Sequence, residues 1–192
     1  DNTNTGNFTY TDRFNDSKLN MRWIFLRNPK NTFYSLGADG LTLNSLPVNI
    51  SDSESPSAIF CRQQHNTFTA ETQVSFDPKS DKELAGMALL QNEQYNFVFG
   101  KTVLNGKTTI TLNRAEGNSA VVASVRLNAN ESPQPLKLKI AGDGRYYDFM
   151  YAIGNGEWQI LARGVDAVNL STHRSGGFIG ACIALYATSN NK

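Results

Sequence analysis

The clearest structural signal in this chain lies in residues 57–78, which read Ser57-Ala58-Ile59-Phe60-Cys61-Arg62-Gln63-Gln64-His65-Asn66-Thr67-Phe68-Thr69-Ala70-Glu71-Thr72-Gln73-Val74-Ser75-Phe76-Asp77-Pro78. From Phe68 onward, mostly apolar or small side chains alternate with polar ones. This period of two predicts a strand with one buried face and one solvated face. The polar residues Arg62 to His65 come just before it, so we expect a hairpin in which they form the turn between two strands.

The rest of the chain also consists of short strand-like segments separated by turns, and no stretch has the period of a long amphipathic helix. Asn105-Gly106 is the strongest hairpin signal, because both residues tolerate the positive φ of a tight turn. Further strands are predicted, among others, at 8–14, 23–27 and 178–187. This organisation is typical of an all-β protein, an antiparallel two-sheet β-sandwich or jelly roll. Residues 8–192 are predicted to form that single domain, after a polar linker or cut edge at 1–7.

The length, composition and charge of the chain suit one domain and exclude several kinds of partner. A chain of 192 residues with a hydrophobic share of 40% is long enough for one sizeable core. It carries 18 basic and 17 acidic residues, so nothing directs it to nucleic acid or to a membrane surface. No apolar run is long enough to cross a bilayer. No signal peptide opens the chain, but a leader can have been removed; we expect a secreted or periplasmic protein and leave a cytoplasmic one open.

The chain shows no pattern typical of an active site. Glycoside hydrolysis needs two carboxylates at a fixed separation, which on a strand means acidic residues two or four apart on one face. The acidic residues are instead scattered, and the pair Asp81 and Glu83 lies in a charged loop. Cys61 and His65 would be separated by roughly 13 Å in an extended chain, too far for a nucleophile and its base. We therefore predict no catalytic residue and no metal site.

Several short motifs follow one another in order along the chain. They are Trp23, Leu26-Arg27-Asn28-Pro29, Arg62-Gln63-Gln64-His65, Ala85-Gly86, Tyr146-Tyr147-Asp148-Phe149, Trp158 and Gly177-Phe178-Ile179-Gly180-Ala181. This set resembles the C-terminal concanavalin A-like sandwich domain of glycoside hydrolase family 43 β-xylosidases and α-L-arabinofuranosidases. The family's closing strand, with an Ala-x-Phe-Asp-x-Phe pattern, does not occur before Lys192. Either that strand follows this residue, or another segment covers the open sheet edge.

The resemblance implies a concanavalin A-like fold and a non-catalytic accessory role, with a catalytic β-propeller domain upstream in the same polypeptide. It also implies that the sandwich docks on this propeller and narrows a pocket for xylo- or arabino-oligosaccharides. The residues expected to contact the propeller or the pocket are Arg62, Gln63, Gln64, His65 and Phe178. The alternative interpretation of the corner is structural, with Arg62 satisfying buried backbone groups at the end of a sheet.

An independent carbohydrate-binding module for plant cell-wall polysaccharide is the alternative function. Exposed aromatic side chains bind the apolar faces of sugar rings, although most aromatic residues pack in cores. The candidates for such stacking are Tyr146, Tyr151, Trp158 and Trp23. No cofactor is predicted. Calcium is left open, because Asp12, Asp16 and Asp143 are oxygen donors in turns but lack a recognisable ligand spacing.

Overall fold

The computed structural model describes residues 8–171 and 181–191, and nearly all of its regular structure is β-strand. The strands are β1 (Tyr34–Gly37), β2 (Gly40–Leu43), β3 (Ser57–Arg62), β4 (Thr67–Val74), β5 (Leu84–Asn92), β6 (Tyr95–Leu104), β7 (Lys107–Glu116), β8 (Asn118–Arg126), β9 (Leu136–Asp143), β10 (Tyr146–Ile153), β11 (Gln159–Asp166) and β12 (Cys182–Thr188). The helical structure in these ranges is a single 3-10 turn at Val168–Leu170. Within the described ranges, no helix has the length and apolar character needed to span a membrane.

Two antiparallel sheets pack face to face to form a sandwich. The larger sheet has the strand order β3-β12-β5-β6-β7-β8, and the smaller sheet has the order β11-β10-β9-β4. Apolar side chains from both sheets meet in one core, which is why these strands carry apolar residues at alternate positions. Phe149 of β10 contacts Phe97 and Phe99 of β6, with ring centroids 5.6 and 5.4 Å apart. The predicted all-β sandwich is confirmed.

The larger sheet is also buried on its second face, which the N-terminal part of the chain covers. Ile50, from the loop after β2, packs into a second apolar cluster with Phe60 of β3 and Tyr186 of β12. The backbone N–H of Ile50 donates to the Tyr186 hydroxyl at 3.0 Å, and Ile24 forms a β-bridge with Phe60. Strand β5, in the middle of this sheet, is therefore buried over its first seven residues and does not alternate.

Two local predictions are confirmed. Strand β4 alternates between exposed and half-buried residues from Thr67 to Val74, as its period of two predicts. Asn105 and Gly106 join β6 to β7 in a two-residue turn, with φ values of 51° and 73°. Both φ values are positive, as a two-residue type I′ hairpin turn requires.

Three other local predictions are corrected. The hairpin predicted at 57–78 is wrong, because β3 belongs to the larger sheet and β4 to the smaller one; Arg62 to His65 begin a crossover between the layers. The segments 8–14 and 23–27 form no strand, apart from the bridge at Ile24. Phe14 has a φ of 56°, which interrupts extended backbone. The last strand begins at Cys182. Residues 178–180 of the predicted segment 178–187 lie outside the described residues.

Candidate functional site

Gln63 is the anchored residue of the predicted corner. Its backbone N–H donates to the Ala181 carbonyl oxygen at 3.0 Å, which extends the pairing of β3 with β12. Its side-chain Nε2 donates to the His65 carbonyl oxygen at 3.0 Å, and its Oε1 accepts a hydrogen bond from Tyr147 Oη at 3.2 Å. Burial raises the pKa of Tyr147, so this hydroxyl keeps its proton and donates it. The corner is thereby tied to the smaller sheet as well as to the larger one.

The other three side chains of the corner, those of Arg62, Gln64 and His65, are exposed. Among residues 8–171 and 181–191, the Arg62 guanidinium and the Gln64 amide have no hydrogen-bond partner. The His65 ring lies against Phe8, with ring centroids 4.8 Å apart. The structural role considered for Arg62 is therefore filled by Gln63, and the corner presents a guanidinium, an amide and an imidazole to solvent.

The two thiols beside the corner are not poised for chemistry. Cys61 and Cys182 are free and half-buried on the neighbouring strands β3 and β12. Burial raises the pKa of both thiols, and for Cys61 the neighbouring Cys182 raises it further. A protonated thiol is a poor nucleophile, so both residues behave as small hydrophobic side chains.

Two of the predicted sugar-stacking residues lie on the solvent side of the smaller sheet. The Lys139 ammonium lies 4.0 Å from the centroid of the Trp158 ring and covers one of its faces. Lys139 also pairs with Glu71 at 3.0 Å across β9 and β4. Tyr146 is 53% exposed, and the Arg145 guanidinium lies 5.8 Å from its ring centroid. Trp158 and Tyr146 therefore contact cations of this chain, and Tyr146 is the more open of the two rings.

The remaining predicted site residues fall in different environments. Tyr151 is only 7% exposed and belongs to the core between the sheets. Its hydroxyl donates to Gln159 Oε1 at 3.0 Å. Its ring consequently has no free face for a sugar. Phe178 lies outside the described residues.

Asp12 uses its carboxylate to organise the N-terminal segment. It accepts hydrogen bonds from Tyr10 Oη, Trp23 Nε1 and the Phe14 backbone N–H at 2.9, 2.8 and 2.8 Å. Partial burial alone would raise the pKa of Asp12, but these three donors outweigh it and lower the pKa. Asp143 lies apart, at the end of β9. The described parts of the chain contain no group of three or more potential metal-ligating side chains; calcium, which the sequence leaves open, stays open.

An open pocket of about 500 Å³ lies beside the segment that precedes β1, with Trp23, Phe25 and Tyr34 in its wall. The sequence singles out Trp23 of this group, but not Phe25 or Tyr34. Tyr34 reaches Phe25 because the chain turns between them, at the turn that the sequence predicts through Asn28-Pro29-Lys30-Asn31.

Residues 11–192 match the family model described as the β-xylosidase C-terminal concanavalin A-like domain. The non-reducing end α-L-arabinofuranosidase BoGH43B of Bacteroides ovatus is 25% identical over 183 residues. A xylosidase/arabinosidase of Butyrivibrio fibrisolvens is 28% identical over 185 residues. The alignments cover 94% and 93% of this chain but 34% of each relative. The chain thus spans about a third of the length of the curated relatives that it matches.

Solved structures also match nearly the whole of this chain and little more than a third of their own length. The Bacteroides ovatus xyloglucan PUL GH43B structure is similar with a TM-score of 0.85 and 25% identity, over 99% of this chain and 38% of that one. The structure of a GH43_12 protein from a capybara gut metagenome has a TM-score of 0.86 and 31% identity, over 95% of this chain and 35% of that one. The matched part of the curated relatives is their C-terminal, non-catalytic domain, which confirms that this chain is not itself the catalyst.

Proposed function

The chain belongs to the family of β-xylosidase C-terminal concanavalin A-like domains, and we propose that it is the accessory domain of a family 43 glycoside hydrolase. In this role it docks on an N-terminal catalytic β-propeller of the same polypeptide and helps to shape the substrate pocket. The relatives are named as an α-L-arabinofuranosidase and a xylosidase/arabinosidase, so the proposed substrates are xylo- or arabino-oligosaccharides. The propeller supplies the catalytic carboxylates, and the sandwich supplies shape and a few contacts.

One observation carries the proposal: the corner holds three exposed polar side chains on a backbone that Gln63 fixes to both sheets. A group that is already ordered loses little conformational entropy when it binds, so such a corner suits a docking contact. The Arg62 guanidinium offers five N–H donors in a planar arrangement, which suits carbonyl oxygens of a neighbouring loop or sugar hydroxyls. Gln64 adds an amide, and His65 adds an imidazole supported by the Phe8 ring.

The position of the corner supports the same role. The hydrogen bond from the Gln63 N–H to the Ala181 carbonyl oxygen brings the corner next to the residue that follows Phe178 by three positions. Ala181 is the residue before β12, so the corner lies at the end of the sandwich where β3 ends and β12 begins. Loops at the end of a rigid sandwich are common places for binding residues.

The test is the kinetics of the full-length enzyme with Arg62→Ala on short xylo- and arabino-oligosaccharides. We expect kcat/KM to fall by about tenfold or more, since a hydrogen bond to a charged group contributes about 1.5–3 kcal/mol. Arg126→Ala is the matched control, because Arg126 is an exposed arginine at the end of β8 without a described partner. Thermal denaturation of each variant establishes that it stays folded.

A second pair of variants separates the contacts of the corner. Gln64→Ala and Phe178→Ala are each expected to raise KM or lower kcat in the full-length enzyme without changing its melting temperature. If Arg62→Ala and Phe178→Ala both leave the kinetics unchanged, the sandwich does not shape the pocket and the proposal is refuted.

A further inference from the structure

The open pocket of about 500 Å³ beside Trp23, Phe25 and Tyr34 has the size of a small-molecule site. We propose that it binds one or two units of a neutral oligosaccharide, at a site that none of the residues Arg62 to His65 lines. The inference does not depend on docking. Only the choice of test sugars rests on the proposed function.

The Trp23 ring in the pocket wall is held in place on two sides. Its indole Nε1–H donates to Asp12 Oδ2 at 2.8 Å. Its ring lies against Phe14, with centroids 5.4 Å apart and planes 42° apart. An aromatic plane that is fixed before the ligand arrives loses little freedom on binding, which favours recognition of a weakly binding ligand.

The backbone at Phe14 is strained in a way that serves this arrangement. Phe14 has a φ of 56°, a left-handed conformation that is an outlier for a bulky residue. Its N–H donates to Asp12 Oδ1 at 2.8 Å, which holds the turn. Such strain persists only where the surroundings impose it, and it is common at functional sites. One carboxylate thus fixes both the strained turn and the orientation of Trp23.

A second pair of rings forms another part of the wall. Phe25 and Tyr34 are stacked, with centroids 5.7 Å apart and planes 29° apart. Phe25 also meets the buried Phe33 edge to face at 5.7 Å, yet it remains 37% exposed. The pocket therefore offers solvent an ordered aromatic surface that the core supports from behind.

The rim of the pocket is polar and nearly uncharged. Ser17, Thr32 and Ser35 contribute hydroxyl groups, and Lys18 is the only charged side chain in the lining. Within the described part of the chain, none of these four side chains has a hydrogen-bond partner. Hydroxyls both donate and accept, as sugar hydroxyls do, while the rings match the apolar C–H face of a sugar. A purely apolar ligand would leave the hydroxyl groups of the rim without hydrogen-bond partners. A highly charged ligand would find only Lys18 as a charged side chain in the lining.

The test is a titration of the 192-residue chain carrying Trp158→Phe, in which Trp23 is the remaining tryptophan. Xylohexaose is the probe in one arm and arabinohexaose in the other. We expect a saturable change in Trp23 fluorescence with at least one sugar, and the same dissociation constant from calorimetry. Phe25→Ala is expected to weaken binding about tenfold, since it removes one aromatic contact surface.

Matched variants make the result specific. Tyr146→Ala removes an exposed ring on the smaller sheet and is expected to leave binding unchanged, whereas Lys18→Met and Ser35→Ala alter only the exposed rim and are each expected to weaken it. The proposal is overturned if neither sugar gives saturable binding, or if Tyr146→Ala abolishes binding while Phe25→Ala does not. If neither sugar binds, melting of the full-length enzyme with Phe25→Ala identifies the other occupant. Two separate melting transitions would then show that the pocket contacts the neighbouring domain instead of a sugar.

Discussion

Tyr147 donates its hydroxyl hydrogen to the side-chain oxygen of Gln63 at 3.2 Å and so joins the two sheets at the corner. Tyr147 belongs to β10 of the smaller sheet, and Gln63 follows β3 of the larger one. The Tyr147 ring packs edge to face against Phe68, with centroids 5.3 Å apart, which fixes the direction of the hydroxyl. The exposed side chains on either side of Gln63 therefore extend from a point that both layers of the sandwich hold.

Removing this hydroxyl should loosen the corner by a measurable amount. We expect Tyr147→Phe to lower the free energy of unfolding by about 1 kcal/mol, because Gln63 Oε1 loses its donor. Urea denaturation of Tyr147→Phe, Gln63→Ala and the double variant gives the coupling energy of the pair. Tyr146→Phe, an exposed neighbour, is the control and should change stability by less than about 0.5 kcal/mol. Additive effects of the two single changes would show that the hydrogen bond contributes nothing.

Lys101 joins two loops from inside the sandwich. Its side chain is 1% exposed in β6, and its ammonium donates to the carbonyl oxygens of Phe76 and Ser132, both at 2.6 Å. We expect Lys101→Met to lower the free energy of unfolding by about 2 kcal/mol at pH 7, because both carbonyls lose a donor. Lys107→Met, on an exposed lysine at the hairpin turn, is the control in the same denaturation assay.

The same lysine predicts a dependence of stability on pH. Burial lowers the pKa of Lys101, although Asp77 opposes the shift. Between this lowered pKa and the ordinary value of about 10.4, the unfolded chain binds more protons than the folded chain. The contribution of Lys101 to stability therefore increases as the pH rises through this window. The difference in unfolding free energy between Lys101→Met and the wild type should grow with pH; a constant difference would contradict the shift.

Tyr186 predicts the opposite trend at alkaline pH. Burial raises its pKa to about 12, so the folded chain retains a proton that the unfolded chain loses above pH ~10. Its contribution to stability is complete below that pH and is lost between about 10 and 12, by roughly 3 kcal/mol. Tyr186→Phe should remove this loss. At pH 7 it should cost about 1–2 kcal/mol, because the Ile50 N–H loses its acceptor. Denaturation curves from pH 7 to 11.5 measure both effects.

Gly86 of β5 lies so close to the backbone of β6 that no side chain fits there. It lies opposite Gly100, and a Cβ on Gly86 would be 2.3 Å from the Phe99 carbonyl oxygen and 2.5 Å from Gly100 Cα. These are backbone atoms that cannot move aside cheaply, so Gly86→Ala should destabilise the domain by about 1–3 kcal/mol. Gly37→Ala is the control, since a Cβ there meets nothing within 4 Å. Equal melting temperatures for the two variants would contradict the prediction.

The sequence was informative where a local pattern reports a local structure. The alternation in β4 identified a strand with one buried face, and Asn105-Gly106 identified a hairpin turn. The partner of a strand is not local information, which is why β3 and β4 were predicted as a hairpin although they belong to different sheets. The aromatic residues from Phe8 to Phe14 also alternate, but this segment pairs with none of the described strands, and Phe14 has a positive φ.

The site could be predicted in composition but not in arrangement. The unusual polar run from Arg62 to His65 drew attention to the corner. The sequence could not show that Gln63, rather than Arg62, is the anchored residue, because Tyr147 lies 84 positions away. Likewise, the exposure of Tyr146 and the burial of Tyr151 follow from the sheet face on which each residue falls.

The loop around Ile50 and the bridge at Ile24 cover the second face of the larger sheet. These segments determine where the domain can be cut when it is fused to another protein. A graft that began at β3 would carry most of the sandwich, yet it would leave the back of that sheet as a bare apolar wall beside an open strand edge. Such a surface favours stacking of one molecule on another and precipitation. Residues 24–50 therefore have to travel with the strands into any chimeric enzyme.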